Sequence, residues 1–334
     1  MRRLDSLLVA ISAQERRDFL PDPRFAQLCG QATHWHSLDP TELTRPEFEQ
    51  RLVAINPEVL VTCWQTPPLP NQLRGNLRYV CHLAGSIRQI VTRSHLANGL
   101  IATNWGGSIS RIVAEGALSH ILTCLRHFTY WTLVMHREGG WKNRATETAS
   151  LFGRRVGLHG FGQVARELVG LLRPFGCMVT AFAPDVDRAV EEKYGVTAVA
   201  SLEELFGGNE IIVELAPLIP ETTGVVTESL LRLIPAGGVF VNVGRGAVVD
   251  EAALLRVATE GKISVGLDVF ATEPLPADSG LRGLQNVTLT PHLAGPTTDR
   301  RRDAGEFALS NVRAYANGEN VLAQITPENY DLRT

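Results

Sequence analysis

Residues Gly157-Leu158-His159-Gly160-Phe161-Gly162-Gln163-Val164-Ala165 constrain this chain more than any other stretch. An apolar run, Arg155–His159, leads into them, and a helical run, Ala165-Arg166-Glu167-Leu168-Val169, follows. A Gly-x-Gly-x-x-Gly/Ala pattern between a strand and a helix is the turn of a βαβ unit, which requires a parallel sheet around it. Gly160 permits the tight turn, Gly162 lets a pyrophosphate approach the backbone, and Ala165 lets the helix pack on the strand. The helix N-terminus then presents N–H groups and a partial positive charge to phosphates. The same pattern also serves as a tight turn with no ligand; the flanking strand and helix favour a dinucleotide.

The rest of the chain repeats that alternation. Leu7–Ser12, Val59–Cys63, Tyr79–Leu83 and Gly99–Thr103 read as buried strands, with amphipathic stretches at Arg45–Ile55 and Ser86–Ala97. A second series follows: Arg155–His159, Met178–Ala183, Glu210–Glu214, Gly238–Val243, Ser264–Val269 and Asn286–Thr290. Strand–helix alternation gives an α/β class, with helices on both faces of a parallel sheet. The 334 residues leave room for about two such doubly wound domains. Between the series, Ile109–His136 is apolar on all sides and predicts a long buried helix, linking the domains or lining a dimer interface. Thr297–Asn317, between Pro296 and Gly318, predicts a second long helix.

Composition excludes several classes. A formal charge of −3 leaves no basic field for a nucleic-acid backbone. The five cysteines are odd in number and form no CxxC, so neither a disulfide framework nor a metal site is expected; they read as small buried residues in a reducing compartment. Met-Arg-Arg opens the chain, but the apolar run Leu7–Ile11 is too short for a signal peptide. No apolar run of 18 residues occurs, so no membrane span and a cytoplasmic location are expected.

Four strand ends carry chemistry-bearing side chains. After Met178–Ala183, where an acid for the adenosine ribose belongs, stands Ala183, and Asp185 comes two residues late. Asp185 either reaches the ribose or is a turn residue after Pro184. NAD is preferred over NADP, though Arg188 leaves a 2′-phosphate open. In Asn242-Val243-Gly244-Arg245-Gly246, an Arg between glycines ends a strand, where it either binds a carboxylate with two parallel hydrogen bonds or is simply solvated. Asp268 and Glu273-Pro274 follow the next strand, and Pro291-His292 the last.

Together these motifs resemble the D-isomer-specific 2-hydroxyacid dehydrogenases. Val113-Ala114-Glu115, Gly140-Trp141, Ala216-Pro217 and Glu221-Thr222-Thr223-Gly224 add weaker echoes, and the similarity runs from about Tyr79 to Gly318. The resemblance implies a flavodoxin-like substrate domain from residues 1–102 and 300–334 and a Rossmann dinucleotide-binding domain from 103–299, with a cleft between them. It implies that Arg245 binds the substrate carboxylate, that His292 is the acid/base on the C2 oxygen, and that Glu273 supports the charged imidazole. Cofactor contacts are implied at Ser86, Gly160, Phe161, Gly162, Gln163, Val164, Asp185, Ala216, Pro217, Val243, Gly244, Asp268 and Gly295. Of these, Asp268 would take the nicotinamide carboxamide. Ala84, Gly85 and Ser86 would join Arg245 and His292 in holding the substrate.

Two departures stand out. Ala183 replaces the usual acid. The loop usually written Gly-x-Gly-x-Asp is here Ala84-Gly85-Ser86-Ile87-Arg88, so Arg88 either favours a second anionic group on the substrate or is an exposed Arg. The resemblance implies an NAD(P)-dependent enzyme acting on a small 2-oxo/2-hydroxy acid as a homodimer. A phosphite-type dehydrogenase and a dinucleotide-sensing, corepressor-like protein retain the same three residues and remain alternatives.

Overall fold

Thirteen strands among the described residues form two sheets: β1 Leu4–Ala10, β2 Ala32–Leu38, β3 Val59–Thr62, β4 Tyr79–His82, β5 Ile101–Thr103, β6 Arg155–His159, β7 Met178–Phe182, β8 Thr197–Ala198, β9 Ile211–Glu214, β10 Val239–Asn242, β11 Ser264–Leu267, β12 Val287–Leu289 and β13 Gln324–Ile325. The computed structural model describes residues 3–144 and 146–332. Met1 and Arg2, where the reading for a signal peptide begins, lie outside the described residues, as do Arg333 and Thr334 at the end of the expected substrate domain. The chain divides into two compact units, Met1–Ile109 with Thr297–Thr334, and Ser110–Pro296.

In the first unit the strand order is β13-β5-β4-β3-β1-β2. Strands β3 and β4 are buried along their whole length, as near-continuous apolar runs covered on both faces should be. The sheet is not parallel throughout: β13 runs antiparallel to β5 at one edge. Two residues of pairing carry too little periodicity to be seen in a sequence. Strand β2 also escaped the sequence reading, because His34, Trp35 and His36 are exposed on this edge strand and no apolar run marks it. The helix Arg45–Ile55 forms as expected, closed by a Thr44–Glu47 capping box. The expected helix Ser86–Ala97 is reduced to Arg93–Ala97. Ile87 and Ile90 are buried in the core, and the carbonyl of Ile90 accepts the N–H of Leu69 at 3.0 Å, which takes it out of any helical ladder.

The second unit has the order β12-β11-β10-β9-β6-β7-β8, and its pairings are parallel. The chain winds outward in both directions from β6, so the topological switch point lies between β6 and β9. One face is packed by Ala117, Ile121, Leu158, Leu168 and Val241, the other by Phe206, Ile212, Phe240, Leu254 and Val265. The long helix expected over Ile109–His136 is interrupted. Ser110–Leu125 is helical; His127 adopts a left-handed φ of +52°, and Phe128–Leu133 and a wider turn at Val134–Glu138 follow. The first segment is buried over the sheet. The second leaves the core, with Phe128 exposed. The terminal helix spans Arg301–Ala316. None of the helices among the described residues is long and apolar enough to cross a membrane. Cys29, Cys63, Cys81 and Cys124 are buried free thiols and Cys177 is half-buried.

Candidate active site

Open parallel sheets bind ligands outside the carboxyl ends of their strands, at the switch point. There the phosphate-type loop leaves β6. Gly160 has φ +91°, and a Cβ at this position would stand 2.8 Å from the backbone N of Ala216. Both conformation and space therefore demand glycine. Gly162 is the N-cap of the helix Gln163–Leu172; no side chain caps it among the described residues, and an added Cβ meets nothing within 4 Å. The uncapped helix start beside open space is a cradle that an anion of pyrophosphate size fits. The side chain of Phe161 is buried, and its carbonyl accepts Arg166 Nε at 3.3 Å. Ala165, on the inner face of this helix, is fully buried.

A pair that sequence reading assigned no role lies under this loop. His159 Nδ1 is 2.5 Å from Glu214 Oε2, and Glu214 Oε1 accepts the N–H of Ala216 at 2.8 Å. Both side chains are buried. The pair ties the end of β6 to the end of β9 and to the Ala216-Pro217 segment. At the end of β7, Asp185 lies 3.5 Å from the guanidinium of Arg166, which itself rests over the Phe161 and Tyr194 rings. Arg166 was not foreseen, because nothing in a helical Arg at this position announces it. Arg188 is exposed and pairs with Glu192 at 3.0 Å.

Three further loops carry the reactive side chains. After β10, buried Asn242 fastens its own turn: its Nδ2 donates to the carbonyl of Arg245 at 3.1 Å, and its Oδ1 accepts the N–H of Gly244 at 3.0 Å. Val243 is buried, and Arg245 is exposed and donates from Nη1 to the Gly244 carbonyl at 2.8 Å. Gly246 touches the next loop so closely that a Cβ would fall 1.9 Å from the carbonyl carbon of Phe270. The Arg245 loop is thus clamped to the Glu273 loop.

After β11, Asp268 is 1% exposed. Its Oδ1 accepts Thr290 Oγ1 at 2.5 Å and Leu293 N at 2.7 Å, and its Oδ2 accepts Ala294 N at 2.8 Å. Glu273 accepts the N–H of Phe270 on Oε1 at 3.1 Å and meets His292 Nδ1 through Oε2 at 2.8 Å. His292 follows β12 in a left-handed conformation, φ +53°, with its N–H on the Asp268 carbonyl at 2.9 Å. Half of its side chain is open to solvent. The acid and the imidazole therefore meet, as the spacing of Glu273 and His292 in the sequence could not guarantee. Gly295 stands clear, with nothing within 4 Å of an added Cβ among the described residues.

The first-unit candidates follow β4. Gly85 packs under Trp105, whose ring would lie 2.7 Å from a Cβ, and its carbonyl accepts Asn104 Nδ2 at 2.7 Å. Ala84 is buried and Ser86 exposed. Arg88 is not helical; it donates from Nη2 to the Asp331 carbonyl at 3.0 Å and stands 3.6 Å from that carboxylate. The suggestion that Arg88 receives a second substrate anion therefore meets a guanidinium already engaged by the C-terminal segment.

A doubly wound sheet with an uncapped Gly-rich loop at its switch point, and an acid–imidazole pair at neighbouring strand ends, defines a Rossmann-type α/β protein. The family model described as "D-isomer specific 2-hydroxyacid dehydrogenase, NAD binding domain" matches residues 118–294. The chain belongs to that family. It is 30% identical over 250 residues to a glyoxylate reductase of Aeropyrum pernix, covering 73% of this chain and 74% of that enzyme. It is 32% identical over 246 residues to D-3-phosphoglycerate dehydrogenase of Mycobacterium tuberculosis, covering 73% of this chain but 46%, about half, of that relative's length. In fold it is similar to the D-mandelate dehydrogenase of Rhodotorula graminis (TM-score 0.81, 19% identity, 96% of this chain and 97% of that one).

Proposed function

We propose that this protein transfers a hydride between a nicotinamide dinucleotide and a 2-oxo acid/D-2-hydroxy acid pair. The observation that carries the reading is the 2.8 Å contact of His292 Nδ1 with Glu273, beside the buried Asp268 whose carbonyl accepts the His292 N–H. The dinucleotide supplies or accepts the hydride when bound. Gly160, Phe161, Gly162, Gln163 and Val164 offer backbone to its pyrophosphate, with Asp185 at the ribose corner. Ala216, Pro217, Val243, Gly244 and Gly295 line its course. A carboxylate has about four acceptor sites. Three on Asp268 are taken, which leaves one, on Oδ2, for the carboxamide.

Arg245 holds the substrate carboxylate and polarises the neighbouring carbonyl. His292 gives a proton to the carbonyl oxygen in reduction and takes it back in oxidation, while Glu273 fixes the ring and supports the imidazolium. NAD is the cofactor favoured by an acid at Asp185; Arg166 beside that acid keeps NADP as the competitor. The relatives named glyoxylate reductase and hydroxypyruvate reductase support a small 2-oxo acid. Exposed Phe128, Met135, Trp141 and Phe152 on the second unit support a homodimer. The free thiols support a reducing compartment such as the cytoplasm.

The test is a panel of 2-oxo acids, glyoxylate and hydroxypyruvate included, with NADH and NADPH, followed by loss of the nicotinamide absorbance. Turnover of one member supports the reading. Tight dinucleotide binding without turnover of any of them would point instead to a dinucleotide sensor.

A further inference from the structure

A buried imidazole stands behind Asp268 with no part in the chemistry just described. His120 lies in the middle of the helix Ser110–Leu125, and its Nε2 is 2.9 Å from Thr290 Oγ1. That hydroxyl lies 2.5 Å from Asp268 Oδ1, which can only accept from it. Thr290 therefore donates forward to Asp268 and accepts from behind, so His120 carries its hydrogen on Nε2. Burial holds the His120 imidazole below its ordinary pKa, against the opposite pull of Asp268, which keeps the ring neutral and the direction of the bonds fixed. Its Nδ1 is buried and has no hydrogen-bond partner among the described residues.

The fold makes room for this line of donors. A Cβ on Gly266 would fall 3.0 Å from His120 Nδ1, and a Cβ on Gly116 would fall 2.7 Å from that of Ala294. Two glycines thus let the helix press against β11 and against the segment after His292. An imidazole with an orphaned nitrogen costs stability in an apolar helix face, where a Leu would be the cheaper occupant. The compensating gain lies at the far end of the line, on Asp268.

We propose that His120 and Thr290 are positioning residues for the nicotinamide. The file His120 Nε2–H, Thr290 Oγ1–H and Asp268 Oδ1 locks the carboxylate, so that its one remaining acceptor, on Oδ2, points at the carboxamide. The same lock steadies the Leu293 and Ala294 amides that follow His292. This rests on the assignment of Asp268 to the nicotinamide made above.

The experiment compares NADH with ADP-ribose, which lacks the nicotinamide, on the full chain. Binding is read by NADH fluorescence and by calorimetry for ADP-ribose, so no substrate need be known. Thr290→Val should weaken NADH about five- to tenfold and leave ADP-ribose unchanged, while Thr290→Ser restores NADH binding. His120→Leu should weaken NADH about threefold, with recovery in His120→Gln, whose amide can also donate. NADH affinity unchanged in Thr290→Val overturns the proposal, and so does an equal loss of both ligands, which marks a merely structural role. A wild-type protein that binds ADP-ribose but gains nothing from the nicotinamide overturns the Asp268 assignment. One that binds none of NADH, NADPH and ADP-ribose overturns the dinucleotide reading itself.

Discussion

Gly246 lies against Phe270 so closely that no side chain fits between them: a Cβ would stand 1.9 Å from the Phe270 carbonyl carbon. This contact fastens the loop bearing Arg245 to the loop bearing Glu273. Glu273 in turn holds Phe270 N at 3.1 Å and His292 Nδ1 at 2.8 Å.

Two glycine substitutions should therefore behave oppositely. Gly246→Ala forces backbone apart and should lower stability by about 2 kcal/mol, seen as a fall in melting temperature, with turnover lost. Gly162→Ala enters open space, so only the poorer N-cap preference of Ala is felt and the melting temperature should fall by no more than about 4 °C. Its methyl fills the anion cradle instead, and NADH affinity should drop about tenfold.

Removing the imidazole separates chemistry from binding. His292→Ala should cut kcat by about 10²- to 10⁴-fold and change NADH affinity by less than about threefold. Glu273→Gln keeps the shape and loses the charge, so kcat should fall less steeply than in His292→Ala. Steady-state kinetics beside NADH titration check both, and comparable losses of kcat and affinity would make His292 a structural residue.

Arg245→Lys should fail to rescue Arg245→Ala. An ammonium offers a point charge where the guanidinium offers a fork matched to a carboxylate. In both variants KM for the 2-oxo acid should rise by about 10²-fold while NADH affinity stays; a Lys variant with wild-type KM counts against bidentate binding.

Stability should fall in mild acid. His82, buried at the end of β4 with Nδ1 on Thr62 Oγ1 at 2.9 Å, is pushed by burial from 6.5 down to about 4. Between those values the unfolded chain holds a proton that the native chain does not, so stability rises with pH there and is lost as pH falls from 6.5 toward 4. The slope from this one group is at most about 1.4 kcal/mol per pH unit. His120, also lowered by burial, adds in the same direction. Melting temperature measured from pH 7 to 4.5 should fall, and fall less in His82→Gln.

Much of this was legible in the residues. An apolar run located β6 at Arg155–His159, and amphipathic spacing with Pro46 in the first turn located the helix Arg45–Ile55, which a Thr44–Glu47 capping box closes. Strand β2 and the two-residue β13 were not legible, since an exposed edge strand and a short antiparallel closure leave no apolar run. The break at His127 was hidden as well: an all-round apolar stretch does not say where its covering sheet ends. At the site, Arg245, Glu273, His292 and Asp268 could be named from strand ends. Thr290, His120 and the His159–Glu214 pair could not be given roles, because their partners are separated by 22 to 170 residues in a manner no spacing rule encodes.

The order of strands and helices, and the types of side chain at each strand end, were set by local sequence, through apolar period and the conformational freedom of glycine. Which of those side chains meet, and which lone pairs remain open, was decided by tertiary packing alone. Hydrogen bonds of 2.5 to 2.9 Å depend on the positions of three or four elements at once, and no single segment contains that information.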